Sequence, residues 1–443
     1  MRCALVLLLG AAALHADSNP IRYLSLQIFT SRYESAELAR SFPPAPRDLR
    51  QTIIALRDRI GPLPDGDRRM GVVLGPIAFD QTDEEVRAMI AGAFDIALET
   101  GVAIGLHLDD QMFWGRVKEL ARPGNLEWLD WNGTPNTGRR LDWSEKPVKV
   151  MPQLCLNSPT VQDAVRKRAA LIGSQIAAGV KRLQAAGKSD LFVGVIAGWE
   201  SQIGPDFDTG KPLGYCALTN AGFGAKNSAA ELDAARTRIV GEFAGLWARE
   251  LVHAGVPRGK VYSHVAYPAE KPAVAFCEGC VPGFSTYPGS EQLEQSYQEL
   301  ARRGNPPWAS CEGTALDPAQ AWHSGKPLAM ESYLASLFNH GAILVNVFGW
   351  GVGNPDNPFR TTAESDEAVM AYRKFLRGET LHEVSTLTLP DKLHLIQAKL
   401  PWVAEHGDAQ LKDEIKKMTG AVREKRYAEV ERIADDILRA LPK

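Results

Sequence analysis

Short apolar runs rich in β-branched residues recur along the chain, and most are followed by apolar positions at helical spacing. The first run is Tyr23-Leu24-Ser25-Leu26-Gln27-Ile28-Phe29, after which Leu49, Ile53, Leu56 and Ile60 fall on one face of a predicted helix. Met70 to Gly75 is the second run. Thr82-Asp83-Glu84-Glu85 then opens a helix as a capping box, with Val86, Ile90, Ala93 and Ala97 turned inward. Val102 to Leu108 is the third run and ends in Asp109-Asp110; Leu191 to Ile196 is the fourth and leads into Ala197-Gly198-Trp199-Glu200. Lys260 to Val265, Gly283 to Tyr287, Trp308 to Glu312 and Ala342 to Phe348 complete the series. Helical patterns over about 160–186, 229–254, 292–303, 329–340 and 364–377 lie between or after these runs.

Eight strand–helix units predict an α/β fold, a (β/α)₈ barrel in place of an open sheet. Unbroken apolar runs suit parallel strands covered on both faces. No Gly-x-Gly-x-x-Gly follows the first run, which argues against a dinucleotide-binding sheet. The predicted barrel, residues 17–378, exceeds the ~250 residues of a minimal one, and the excess falls in the loops after strands three and four. Beyond Gly378 the strand-like runs stop. Residues 379–443 carry three helix patterns, with Leu411, Ile415 and Met418 on one face and Val430, Ile433, Ile437 and Leu441 on another. They read as a small helical appendage.

The first residues change the picture of location. Met1-Arg2 is a short positive start, Ala4 to Leu14 an apolar core, and the Ala-rich stretch ending at Ala16 a cleavage site. Residues 1–16 are expected to be a signal peptide, and the mature protein to be secreted or periplasmic. No later run reaches the ~18 apolar residues of a spanning helix, so no membrane partner is expected. The 50 Lys+Arg against 53 Asp+Glu give a net charge of −3. That balance argues against nucleic acid, whose binders carry a basic stripe. Of the cysteines left after removal of Cys3, Cys277 and Cys280 are expected to form a small-loop disulfide. Cys155, Cys216 and Cys311 make up an odd remainder.

In a barrel, polar residues at the C-terminal ends of strands face the site. They are His107, Asp109 and Asp110 after strand three, Trp199 and Glu200 after four, and His264 and Tyr267 after five. Tyr287 follows strand six, Glu312 strand seven, and Asn346 and Trp350 lie near strand eight. Strands four and seven stand on opposite sides of the ring, so Glu200 and Glu312 can face each other. Glycosidic cleavage needs such a pair, one carboxyl protonated to release the sugar oxygen and one ionised to attack or to activate water. Glu200 and Glu312 are therefore the catalytic candidates, and a carbohydrate the expected partner. Trp114, Trp128, Trp131, Trp143, Trp199 and Trp350 are candidates to stack on sugar rings, or else pack their loops. Asp109 and Asp110 either bond sugar hydroxyls or cap a loop. His107 and His264 either orient a carboxylate or fill the barrel interior. Tyr287 is a candidate partner of Glu312. No cofactor or metal is expected. A metal-dependent hydrolase built on Asp109, Asp110, His107 and His264 lacks a His-x-His or His-Glu-x-x-His spacing. A non-catalytic carbohydrate-binding barrel is the remaining alternative.

Glu at the ends of strands four and seven resembles the clan A retaining glycoside hydrolases, which are (β/α)₈ barrels. The resemblance implies that Glu200 is the acid/base, Glu312 the nucleophile, and the stereochemical course retention. The segment Cys155-Leu156-Asn157-Ser158-Pro159-Thr160 is similar to a Cys-Pro-Asn-Ser-Pro segment of the family 42 β-galactosidases, which makes Asn157 a further binding candidate. One position departs from the clan. Its usual Asn before the strand-four Glu, a partner of the sugar 2-hydroxyl, is here Trp199.

Overall fold

The computed structural model describes residues 20–30, 45–61, 66–141, 148–265, 271–288, 290–316, 329–353, 355–383 and 389–441. The expected signal peptide, Trp143 and Tyr267 lie outside them.

Eight parallel strands close into a barrel: β1 Arg22–Phe29, β2 Arg68–Ile77, β3 Ala103–Leu108, β4 Phe192–Ser201, β5 Val261–Val265, β6 Gly283–Ser285, β7 Trp308–Gly313 and β8 Ala342–Val347. Each pairs with its sequence neighbours, and β1 closes the ring against β8 with Tyr23 opposite Leu344 and Leu26 opposite Val347. The strands read as continuous apolar runs because the barrel interior covers one face and helices the other. Leu24, Val72, Ile104, Val195, Val261, Ala309 and Val345 are all buried. Some interior positions admit no side chain. A Cβ on Gly283 would come within 2.1 Å of the Ser263 carbonyl oxygen and 2.4 Å of Cys311 Sγ.

The outer layer comprises helices Leu49–Ile60, Asp83–Thr100, Pro159–Ala185, Ala229–His253, Glu291–Arg302, Met330–Asn339 and Asp366–Leu376. Thr82 and Ser228 each begin a helix with a full capping box, with Glu85 and Glu231 returning the bond to the cap backbone. A short helix, Tyr215–Asn220, sits in the loop after β4, and another, Pro358–Glu364, follows β8. An antiparallel ribbon of Arg140–Leu141 and Val148–Lys149 lies in the loop after β3. Cys277 and Cys280 are disulfide-bonded, and Cys155, Cys216 and Cys311 are free and buried.

Helices Leu389–His406, Ala409–Arg423 and Tyr427–Ala440 follow the barrel. Ile396, Val403, Leu411, Met418, Val430, Ile433 and Ile437 form their core, a cluster separate from that of the barrel. No helix among the described residues is long and apolar enough to cross a membrane.

Candidate active site

The C-terminal end of β4 is irregular. Pairing with β5 is regular up to Ala197–Ser263 and resumes only at Ser201–Val265. Such a bulge re-aims side chains. Within it Gly198 has φ +105° and Glu200 φ +54°, left-handed values rare for a residue with a side chain. Two groups hold the bulge. Asp110, fully buried, accepts from the Trp199 backbone N–H at 3.2 Å and from the Ser201 hydroxyl. Arg139 donates through Nη2 to the Glu200 carbonyl at 3.0 Å. The Arg139 backbone exchanges hydrogen bonds with Met151 and Val150, extending the ribbon toward the site.

Glu200 Oε1 lies 3.0 Å from Ser285 Oγ on β6. Ser285 pairs in register with Glu312 on β7, so the two glutamates arrive on either side of one strand. Tyr287 donates its hydroxyl to Glu312 Oε1 at 3.0 Å and feels the charge of both carboxylates. Glu312 is 3% exposed. Burial first, and the Glu200 charge second, push its carboxyl well above the usual range, while the Tyr287 hydroxyl and the Trp199 side chain favour its ionised form. Two carboxyls so placed resist holding two charges at once.

Apolar residues wall the mouth: Phe29, Ala78, Met112, Phe113, Trp199, Tyr287, Leu316 and Phe348 form one buried cluster. Trp199 stacks on His107, with centroids 3.9 Å apart and planes 2° apart. His107 and His264 are both buried, and their ring nitrogens approach to 3.1 Å. Burial holds both neutral, His107 far below its ordinary pKa and His264 down to about 3.

The structure thus brings Glu200, Glu312, Trp199, Tyr287, His107 and His264 into one connected group. Other candidates are engaged elsewhere. Asp109 takes the loop-capping alternative, accepting from the backbone N–H groups of Gln111, Met112 and Phe113 while fully buried. Burial and the neighbouring Asp110 raise its pKa to about 7. Asp110 is likewise a buttress inside the protein, not a group open to a sugar. Trp114 is 2% exposed and donates its indole N–H to the Pro152 carbonyl, so it packs its loop. Asn157 donates to the Ala217 carbonyl at 2.8 Å, tying two loops together. Trp350 lies under the Arg59 guanidinium, 5.0 Å from ring centroid to charge. Trp128 donates to the Pro123 carbonyl and Trp131 meets Tyr215 edge-on. Among the described residues no group of three or more His, Cys, Asp or Glu side chains is placed to hold a metal ion.

Three further residues tied into this group belong to no functional motif. Ser285 is a small hydroxyl in the shortest strand of the barrel, Gln27, whose amide oxygen lies 3.0 Å from His107 Nδ1, lies inside the first apolar run, and Arg139 sits in a long loop. A polar residue interrupting an apolar run, as Gln27 does, was the one readable signal.

No protein-family model and no curated protein matches the sequence. Solved structures do match. A β-galactosidase from the psychrophilic Marinomonas ef1 is 12% identical, with a TM-score of 0.47 over 80% of this chain and 59% of that one. A broad-specificity family 5 endoglucanase from an uncultured bacterium is 10% identical, with a TM-score of 0.41 over 76% of this chain and 85% of that one. A Bacillus subtilis mannanase is 13% identical, with a TM-score of 0.34 over 80% of this chain and 87% of that one. The chain spans about three-fifths of the first of these proteins. The matched structures are clan A (β/α)₈ glycoside hydrolases of families 42 and 5, and at such low identity this chain is divergent from all three.

Proposed function

We propose that the protein is a glycoside hydrolase that cleaves β-linked sugars by a two-carboxylate retaining mechanism, with Glu200 as acid/base and Glu312 as nucleophile. The observation that carries this reading is the pairing of the two glutamates across Ser285 and Tyr287 in an apolar barrel mouth. In this scheme Glu200 protonates the departing sugar oxygen while Glu312 attacks the anomeric carbon. Glu200 then takes a proton from the water that releases the sugar. Tyr287 donates to Glu312 and helps hold its charge; burial supplies the low dielectric in which one of the two carboxyls keeps its proton at neutral pH. The family 42 likeness of residues 155–160 makes a β-galactoside the first substrate to try. A secreted or periplasmic location follows from the expected signal peptide.

Glu200→Gln and Glu312→Gln should each lower hydrolysis of a nitrophenyl β-galactoside, or of whichever aryl glycoside is turned over, by about a thousandfold, with the fold intact by circular dichroism. NMR of the first-formed anomer should show retention. Full turnover in both variants would reject the hydrolase reading in favour of a non-catalytic carbohydrate-binding barrel.

A further inference from the structure

Two buried thiols meet where the loop after β3 touches the loop after β4. Cys155 lies just before the helix Pro159–Ala185, and Cys216 lies in the short helix Tyr215–Asn220; both are fully buried. The Cys155 thiol is in hydrogen-bonding contact with the Cys216 thiol. A second contact gives the same arrangement. Asn220 Nδ2 lies 3.3 Å from Cys155 Sγ, and Asn220 stands one helical turn after Cys216, on the same face. The structure holds both cysteines as thiols.

The chain around the pair is pinned on both sides. The Cys155 N–H donates to the Asn125 carbonyl at 2.8 Å, and Asn157 Nδ2 donates to the Ala217 carbonyl at 2.8 Å. Asn157 Oδ1 lies 3.4 Å from Cys155 Sγ and accepts from Asn220 at 3.3 Å. Cys216 Sγ lies 3.7 Å from the Gly124 carbonyl oxygen. Glu127, itself buried, accepts from the Ala217 N–H at 3.5 Å and from the Cys155 thiol. Two sulfurs from distant parts of the sequence are thus held at one point, and thiols in such contact need to close by only about 2 Å to bond. Cys311 is placed differently, inside the barrel with its Sγ 3.1 Å from the Ser263 carbonyl oxygen.

We propose that Cys155 and Cys216 form a second disulfide, a staple that joins the loop after β3 to the loop after β4 and leaves Cys311 as a thiol. The inference stands apart from the hydrolase reading. The first of the two loops also carries Asp110 and Arg139, so the staple braces the segment that holds the bulge at Glu200.

The co-reactant is a disulfide, such as oxidised glutathione. Cys155, as thiolate, attacks one of its sulfurs and expels the other as a thiolate. Cys216, as thiolate, then attacks Cys155 Sγ in the mixed disulfide and expels the second. Two electrons pass from the protein sulfurs to the co-reactant, whose two thiolates take up the two protons that the cysteines gave up. In the closed fold, contact with Cys216 first and burial second push the Cys155 thiol well above its ordinary pKa and keep it protonated. A buried, protonated thiol is inert. The exchange therefore runs while the loops are still open, and the bond once made is shielded from reductants. Cys277 and Cys280 are already bonded, so an oxidation that closes that pair is available to this one.

The test refolds the full chain from urea and dithiothreitol into a mixture of oxidised and reduced glutathione, then alkylates it in urea. Iodoacetamide should modify Cys311 and spare Cys155 and Cys216. A non-reducing digest should contain the Cys155 peptide linked to the Cys216 peptide, and reduction should separate them. In a Cys277→Ser/Cys280→Ser background, reductant should lower the midpoint of equilibrium urea unfolding; adding Cys216→Ser should abolish that response with circular dichroism unchanged. Alkylation of both Cys155 and Cys216 after refolding, or a link from either to another cysteine, overturns the proposal, and the wild-type digest decides this whether or not the variants fold. No readout depends on turnover, so the outcome is independent of whether the glutamate variants are active.

Discussion

At the residue scale, the backbone of Glu200 is the costly element. A non-glycine residue at φ +54° stores on the order of 1–3 kcal/mol, which the surroundings must offset. Asp110, Arg139 and Gly198 do so. Gly198 sits at φ +105°, and a Cβ there would come within 2.4 Å of Ser201 Oγ, the atom that bonds Asp110. Gly198→Ala should therefore lower stability by roughly 1–3 kcal/mol, seen as a lower urea midpoint. It should also cut kcat at least tenfold by misaiming Glu200; unchanged kcat would show that the bulge does not set the carboxyl. That Glu200 and Glu312 come together was legible because each ends an apolar strand on the same rim of the barrel; their catalytic role is the proposal above. Asp109 and Asp110 end an apolar strand in the same way but are held by the protein itself, Asp109 by the backbone N–H groups of its own turning loop and Asp110 by the Trp199 N–H and the Ser201 hydroxyl. Ser285 and Arg139 were not legible, and Gln27 only as a polar residue breaking an apolar run. Their significance lies in which atoms three-dimensional closure brings near them, and a sequence does not display that.

At the element scale, hydrophobic pattern located the strands and helices well because every barrel strand is covered on both sides. The helix predicted over 160–186 is Pro159–Ala185, and the one over 229–254 is Ala229–His253. The pattern ended β4 at Ile196, whereas the strand continues to Ser201 through the bulge. Gly198 reads as a strand terminator, but here it supplies a conformation the bulge requires. The two-residue strands of the ribbon are too short for any period to register. Capping chemistry was readable at Thr82, whose hydroxyl accepts from the Glu85 N–H at 3.2 Å. Thr82→Ala should cost about 1 kcal/mol, measured as a shift in the denaturant midpoint, with kinetics unchanged because the Thr82 hydroxyl serves the helix cap. A loss of activity at full stability would contradict that role.

At the scale of the whole molecule, the described residues hold two large interiors, one in the barrel with its helices and one among the last three helices. Ile433 is 1% exposed in the second. Ile433→Ala should remove about 2–4 kcal/mol from that unit, appearing as faster hydrogen exchange across 389–441 with kcat unchanged. Equal acceleration across the barrel would mean that the two interiors unfold as one.

The side chains that surround the paired carboxylates are supplied by β1, β3, β4, β5, β6, β7 and β8, nearly the full circumference. Residues 192–347 carry five of these seven strands, and β1 and β3 must join them to complete the group. On the hydrolase reading, helices can regain their circular dichroism from local contacts during refolding, but turnover would wait until the first and last strands meet. Regain of turnover would then time the closing of the ring, and a nicked or truncated chain that still turned over would have to have reassembled around the cut.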